Sequence, residues 1–225
     1  MIENDSDRGG FSSTQAYRNL QARRPQSVVL YGCSLTEHGE WTKAFSSWFE
    51  THYPDLVTVR NTSGSGKNSA WALEHLQSRV LDHKPDLVFI EFAYNDAHEK
   101  FDLSLEESEG NLEKILQELR AQNPEMTIVL QTMNVGWDAP NENRSASVRP
   151  QLLKYYQQYH RIAEKHGLQL IDHTSIWVKL KTEDPETFQK FVPDGSHPSP
   201  EASLQITWPS IQTWLESYKS NTSPA

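Results

Sequence analysis

From Ser27 onward, short runs of apolar and β-branched residues alternate with longer stretches in which apolar residues recur every three or four positions. The short runs, 27–31, 56–61, 86–92, 127–131 and 168–172, predict strands. The longer stretches, roughly 40–53, 69–82, 104–122 and 146–166, predict amphipathic helices, with Leu112, Ile115, Leu116 and Leu119 forming the clearest stripe. Pro54, Pro85 and Pro124 fall where helices should have stopped, and Gly167 stands at a C-cap position. The first 25 residues break the rhythm: they are polar and contain Gly and Ser, and predict an extended or loosely docked arm. A single domain over 26–220 and a short tail over 221–225 complete the expected organisation.

Strand–helix alternation implies βαβ units and a parallel sheet covered on both faces. Five such strands fit a three-layer α/β/α sandwich with a flavodoxin-like sheet of order 2-1-3-4-5. Ligands of such sheets sit beyond the carboxyl ends of the strands, so the residues following each strand should be the unusual ones. They are small and polar. Gly32-Cys33-Ser34-Leu35-Thr36 follows the first strand, the stretch from Asn61 to Ser69 the second, and Ala93-Tyr94-Asn95-Asp96 the third. A long polar loop with Trp137 follows the fourth, and Val192-Pro193-Asp194-Gly195-Ser196-His197-Pro198 lies beyond the fifth.

Composition narrows the function classes. The 225 residues are 36% hydrophobic and 10% aromatic with seven Trp, as expected of a folded globule. A net charge of −9 argues against nucleic acid and anionic membranes as partners. Cys33 is the lone cysteine, so no intrachain disulfide forms. The nine His show neither HExxH nor clustered ligand spacing, so neither a metal nor another cofactor is expected. The sequence has no apolar leader and no membrane-length apolar stretch, which as it stands reads as cytoplasmic; secretion stays open if a leader has been removed. Asn-x-Ser/Thr sequons at Asn61, Asn143 and Asn221 are read as chance matches, the first lying inside a candidate active-site loop. Oligomeric state is not legible.

The strand-end clusters supply the parts that acyl transfer needs: a nucleophile, a base, an orienter for the base and donors for an oxyanion. Ser34 would open a helix after a buried strand, where backbone N–H groups are unpaired. Asp194 and His197 are three positions apart, close enough to meet on one helical turn, with Asp194 holding one ring nitrogen while the other faces Ser34. Ser34 N–H, Gly66 N–H and the Asn95 side-chain amide are candidate oxyanion donors, and Gly66 lets a ligand approach bare backbone. Each block alone has an ordinary reading: Ser34 as a helix cap, Asp194–Pro198 as a turn, Gly66 as a turn glycine, Asn95-Asp96 as a cap.

Taken in order, the blocks GCSLT, NTSGSGKNS, FAYND and DGSHP resemble the SGNH, or GDSL, hydrolases over roughly 27–200. The resemblance implies Ser34 as nucleophile, Gly66 and Asn95 as oxyanion donors, His197 as base and Asp194 as its orienter, with no metal. Cys33 stands where that family usually has Asp, a position outside the catalytic groups, so only local hydrogen bonding should change. The first block also lacks the second Gly of a Gly-x-Ser-x-Gly elbow, Thr36 standing in its place, which separates it from the α/β-hydrolases. Cys33 itself reads as a small buried hydrophobe rather than a nucleophile. Trp41 and Trp137 are candidate cleft residues, although core or rim packing is the plainer reading for Trp41. The expected substrate is a small-molecule or glycan ester, most simply an acetyl ester of a carbohydrate. Lipid acyl or thioester hydrolysis, acyl transfer to a sugar, and glycan binding with an idle triad are the alternatives.

Overall fold

The computed structural model describes residues 10–140 and 144–217. Five parallel strands form one sheet: β1 (Gln26–Gly32), β2 (Val57–Asn61), β3 (Leu87–Glu91), β4 (Thr127–Gln131) and β5 (Gln169–Ile171), in the order 2-1-3-4-5. Alternation along the strands divides the core. Val28 and Leu30 of β1 and Phe89 of β3 face one layer; Val29, Tyr31, Val88 and Ile90 face the other.

The helices are α1 (Gln15–Gln21), α2 (Ser34–Glu37), α3 (Trp41–His52), α4 (Ser69–Glu74), α5 (Leu76–Arg79), α6 (Ala93–Asp96), α7 (Leu105–Gln122), α8 (Leu152–His166), α9 (Thr174–Glu183), α10 (Pro185–Phe191), α11 (Pro200–Ala202) and α12 (Trp208–Glu216). A π-helical segment over Ser203–Thr207 joins the last two. α1, α3 and α12 cover the first layer, and α4, α5, α7, α8, α9 and α10 the second. β1 pairs with β2 on one side and β3 on the other, so the order reverses between β1 and β3. That is the switch point at which doubly wound sheets bind ligands.

Three expectations need correction. Residues 10–25 are not a loose arm: Phe11 is fully buried against Tyr17, Trp48, Phe49 and Trp214, and Ala16 and Leu20 of α1 share that core. A few apolar residues on one helical face dock the segment although its composition is polar. Residues 1–9 and 221–225 lie outside the described residues. The helix expected over 69–82 breaks at His75, where the ring Nδ1 and the backbone N–H both reach the Trp71 carbonyl at 3.0 Å. The helix expected from 146 begins only at Leu152, because Pro150 disfavours helical geometry at the residue before it. The helices between Thr174 and Glu216 have no counterpart among the predicted elements. No helix of the described residues is long and apolar enough to cross a membrane.

Candidate active site

β1 carries the chain into the switch point and ends at Gly32, where a Cβ would stand 2.4 Å from Thr36 Oγ1 and 2.8 Å from the Glu91 carbonyl. Glycine here lets α2 fold tightly over the ends of β1 and β3. Cys33 caps α2: its carbonyl accepts from the N–H groups of Thr36 and Glu37, leaving Ser34 as the first helical residue. Ser34 N–H and Gly66 N–H donate to no other group among the described residues. Gly66 lies on the β2–α4 loop with φ of 68°, a left-handed conformation that glycine adopts without strain. A Cβ there would touch nothing within 4 Å.

Ser34 Oγ lies 2.8 Å from His197 Nε2, and His197 Nδ1 lies 2.6 Å from Asp194 Oδ2. The three form one continuous relay. Asp194 and His197 meet across a turn rather than on a helix, with Gly195 at φ of 81°. The second Asp194 oxygen accepts the backbone N–H groups of Ser196 at 2.8 Å and His197 at 2.7 Å. Partial burial pushes the Asp194 carboxyl up, but these backbone donors and the His197 ring outweigh it and hold the group below the usual carboxylate range. Asp194 is therefore ionised at neutral pH and fixes the proton of His197 on Nδ1, leaving Nε2 as an acceptor towards Ser34.

The turn is clamped from several sides. Trp137 donates its indole N–H to the Val192 carbonyl at 2.6 Å and its backbone N–H to Gly195. Asn134 Nδ2 donates to the Ser196 carbonyl at 2.8 Å, and Ser196 Oγ bonds Ser145 Oγ, which also meets Tyr94 Oη at 2.6 Å. Trp137 lines neither cavity at the triad; it positions the loop that bears Asp194. Trp41 is 1% exposed, its indole N–H directed to the Leu35 carbonyl, and reaches only a small apolar pocket beside Ser34.

Asn95 sits in the buried turn of α6, donating one amide hydrogen to the Lys67 carbonyl at 2.8 Å while Arg149 Nη2 donates to its Oδ1 at 3.4 Å. That orientation leaves its second N–H available. Ser34, Gly66, Asn95 and His197 share one open cleft of about 600 Å3. A second pocket of about 120 Å3, which shares Ser34, His38 and His197 with the cleft, is lined by Leu35, Trp41, Met133 and Pro198. The neighbouring Asp96 accepts from Ser69 N–H and Ser108 Oγ, so it anchors the start of α4 from across the switch point.

One group escaped the sequence reading. Glu91, the last residue of β3, is 1% exposed beneath the Ser34 turn, and its carboxyl faces Cys33 N–H, Cys33 Sγ and Thr36 Oγ1, each at 3.2 Å. Cys33 thus has a partner after all, and the family's Asp position is replaced by a thiol set against a carboxyl from the adjoining strand. Burial, followed by the Glu91 charge, pushes the Cys33 thiol up, so it is protonated and hidden. Burial likewise raises Glu91 to about 8 from 4.5. Between those values the folded chain holds a proton that the unfolded chain has released, so stability falls as pH rises through that window. Across the whole window the loss is on the order of 5 kcal/mol. Glu91→Gln keeps the acceptor and has no charge to bury. Thermal unfolding at pH 5 and pH 8 should show the variant gaining several degrees on the parent at the higher pH. An unchanged gap would contradict it.

Asn61, the first sequon, spends its side chain inside the loop on the Thr36 carbonyl and Ser63 N–H. Asn143 and Asn221 lie outside the described residues.

The GDSL-like Lipase/Acylhydrolase family model matches residues 29–203. The chain belongs to this family. It is accordingly a carboxylic ester hydrolase by family chemistry. A GDSL esterase/lipase of Arabidopsis thaliana is 26% identical over 201 residues, 80% of this chain and 81% of that protein. Among solved structures, the acetylxylan esterase Axe2 of Geobacillus stearothermophilus superposes with a TM-score of 0.71 at 19% identity, covering 88% of this chain and 98% of that one. LAE5, an α/β hydrolase from the metagenome of Lake Arreo, gives 0.71 at 20% identity over 88% and 98%. At these identities the two structures speak for the GDSL fold, which the sheet order of this family member shares.

Proposed function

We propose that Ser34 is the nucleophile of a two-step ester hydrolysis, with His197 as general base, Asp194 as its orienter, and Ser34 N–H, Gly66 N–H and Asn95 Nδ2–H as oxyanion donors. The observation that carries this reading is the unbroken relay of 2.8 Å and 2.6 Å opening onto a cleft that also holds Gly66 and Asn95. Ser34 Oγ forms a bond to the acyl carbon as its proton passes to His197 Nε2, and Asp194 stabilises the resulting imidazolium. The carbonyl oxygen, now negative, is met by the three donors. Collapse breaks the bond to the alcohol, which leaves with the proton from His197. Water, deprotonated by the same nitrogen, then attacks the acyl-enzyme and frees the acid and Ser34.

The substrate we infer is a small-acyl ester, an acetyl group, on a carbohydrate. A pocket of about 120 Å3 beside the serine suits a short acyl chain, and the cleft of about 600 Å3 suits a sugar as the alcohol half. The acetylxylan esterase among the structural neighbours supports the same substrate class. Side-chain exposures of 43% for His197 and 45% for Asp194 leave water free to reach the acyl-enzyme, which favours hydrolysis over transfer to an acceptor.

Acetyl and octanoyl p-nitrophenyl esters, compared by kcat/KM, test the acyl size: the acetyl ester should be the better substrate, and an octanoyl preference would overturn the small-acyl reading. Asn95→Ala removes one oxyanion donor and should lower kcat on the order of 100- to 1000-fold with KM little changed. A variant with the parent's kcat would remove Asn95 from the oxyanion site.

A further inference from the structure

The chain carries 30 acidic and 21 basic residues, yet none of the residues lining the cleft is Asp or Glu. Its wall opposite Ser34 instead bears Lys100, Arg144 and Arg149, together with His98. Neither Lys100 nor Arg149 is paired with a carboxylate among the described residues. Arg149 is held in place without being neutralised: its Nε donates to the Tyr94 carbonyl at 2.9 Å, its Nη1 to Ser145, and its guanidinium lies 4.2 Å over the Tyr94 ring. Lys100 rests over the Phe101 ring at 4.7 Å. Glu37 accepts from Ser65, and Asp138, beside Arg144, accepts from Ser147; neither pairs with Lys100 or Arg149. The field of this wall is felt by His98, which burial, then Arg149 and Lys100, lower to about 4. Two cations without a carboxylate partner in a concave site attract anions locally, against the net negative charge of the protein.

We infer that the alcohol half of the ester carries a carboxylate seated against Lys100 and Arg149, so that the substrate is an O-acetylated acidic sugar. This rests on the hydrolase reading above and adds a charge requirement to it. With its other donors engaged, Arg149 has one Nη2 N–H left to offer a carboxylate, and Lys100 adds a mobile point charge. Because Arg149 also touches Asn95 Oδ1, binding of the anion and alignment of the oxyanion donor meet at one side chain.

The test uses two probes that differ only in charge: an O-acetylated methyl uronoside and its neutral uronamide, with release of acetate measured. The acid should be preferred roughly 10- to 100-fold in kcat/KM, as expected of a charge-assisted contact. That preference should shrink as ionic strength rises from about 0.02 to about 0.5 M. Lys100→Gln should reduce the acid-to-amide ratio several-fold. Equal rates on both probes, a preference for the amide, or a ratio unmoved by salt and by Lys100→Gln would overturn the inference. Hydrolysis of p-nitrophenyl acetate with neither sugar cleaved would also sink it while leaving the hydrolase reading intact. A folded protein inactive on p-nitrophenyl acetate as well would fail the hydrolase reading itself.

Discussion

Ser34→Ala is expected to lower the turnover of p-nitrophenyl acetate on the order of 10^6-fold, to little more than the residual contribution of binding and oxyanion donors. Its hydroxyl is the only group joined to His197 Nε2 among the described contacts, so no second oxygen stands ready to take the proton relay. Cys33, one residue away, does not substitute: it is fully buried with its sulfur on Glu91, and burial keeps the thiol protonated. The change removes a single oxygen from a side chain that is only partly buried, so folding should be preserved, and a thermal midpoint beside the rate separates lost chemistry from lost structure. Retention of more than a few per cent of the parent rate would contradict Ser34 as nucleophile.

The second large effect is expected at Asp194. Asp194→Asn keeps the shape of the turn but replaces an acceptor by an amide that can present N–H to His197 Nδ1. That favours the tautomer with its proton on Nε2, which then points a donor instead of an acceptor at Ser34 Oγ. The loss in kcat should be on the order of 10^4-fold at neutral pH, as such a tautomer switch costs. The variant discriminates, because a purely structural Asp194 would tolerate Asn: Oδ1 could still accept the Ser196 and His197 backbone N–H groups. Full activity with an unchanged pH profile would place Asp194 outside the relay.

Much of this arrangement was legible in the sequence because a parallel sheet makes position readable. Its strands are runs of buried apolar residues, so the polar residues after each run mark the rim, and Ser34, Gly66 and Asn95 share the cleft there. Asp194 and His197 followed from their spacing and the family resemblance, although the turn geometry that joins them did not, since a spacing of three serves a turn as well as a helix. What stayed hidden is long-range. Glu91 is one acidic letter inside an apolar strand, and only the register of β1 with β3 sets it beneath Cys33; its signal was a charge at a position whose neighbours are all buried. Arg149 falls within the predicted helix over 146–166 but lies before its true start at Leu152, and the convergence of Arg149 and Ser145 on Tyr94 and Asn95 depends on how that loop folds back. Phe11 looked like an isolated aromatic in a polar segment, but four aromatic partners come from α1, α3 and α12. Trp137 stands out in the sequence as a cleft candidate, but its bond to the Val192 carbonyl depends on how two distant loops meet.

The most direct test of the central claim is to treat the wild-type protein with a fluorophosphonate and locate the adduct by peptide mass spectrometry. The account predicts one stoichiometric adduct on Ser34, absent after His197→Ala removes the base, with loss of p-nitrophenyl acetate hydrolysis in step with labelling. A folded protein that hydrolyses the ester while Ser34 stays unmodified, or that carries the adduct on another residue, would contradict it.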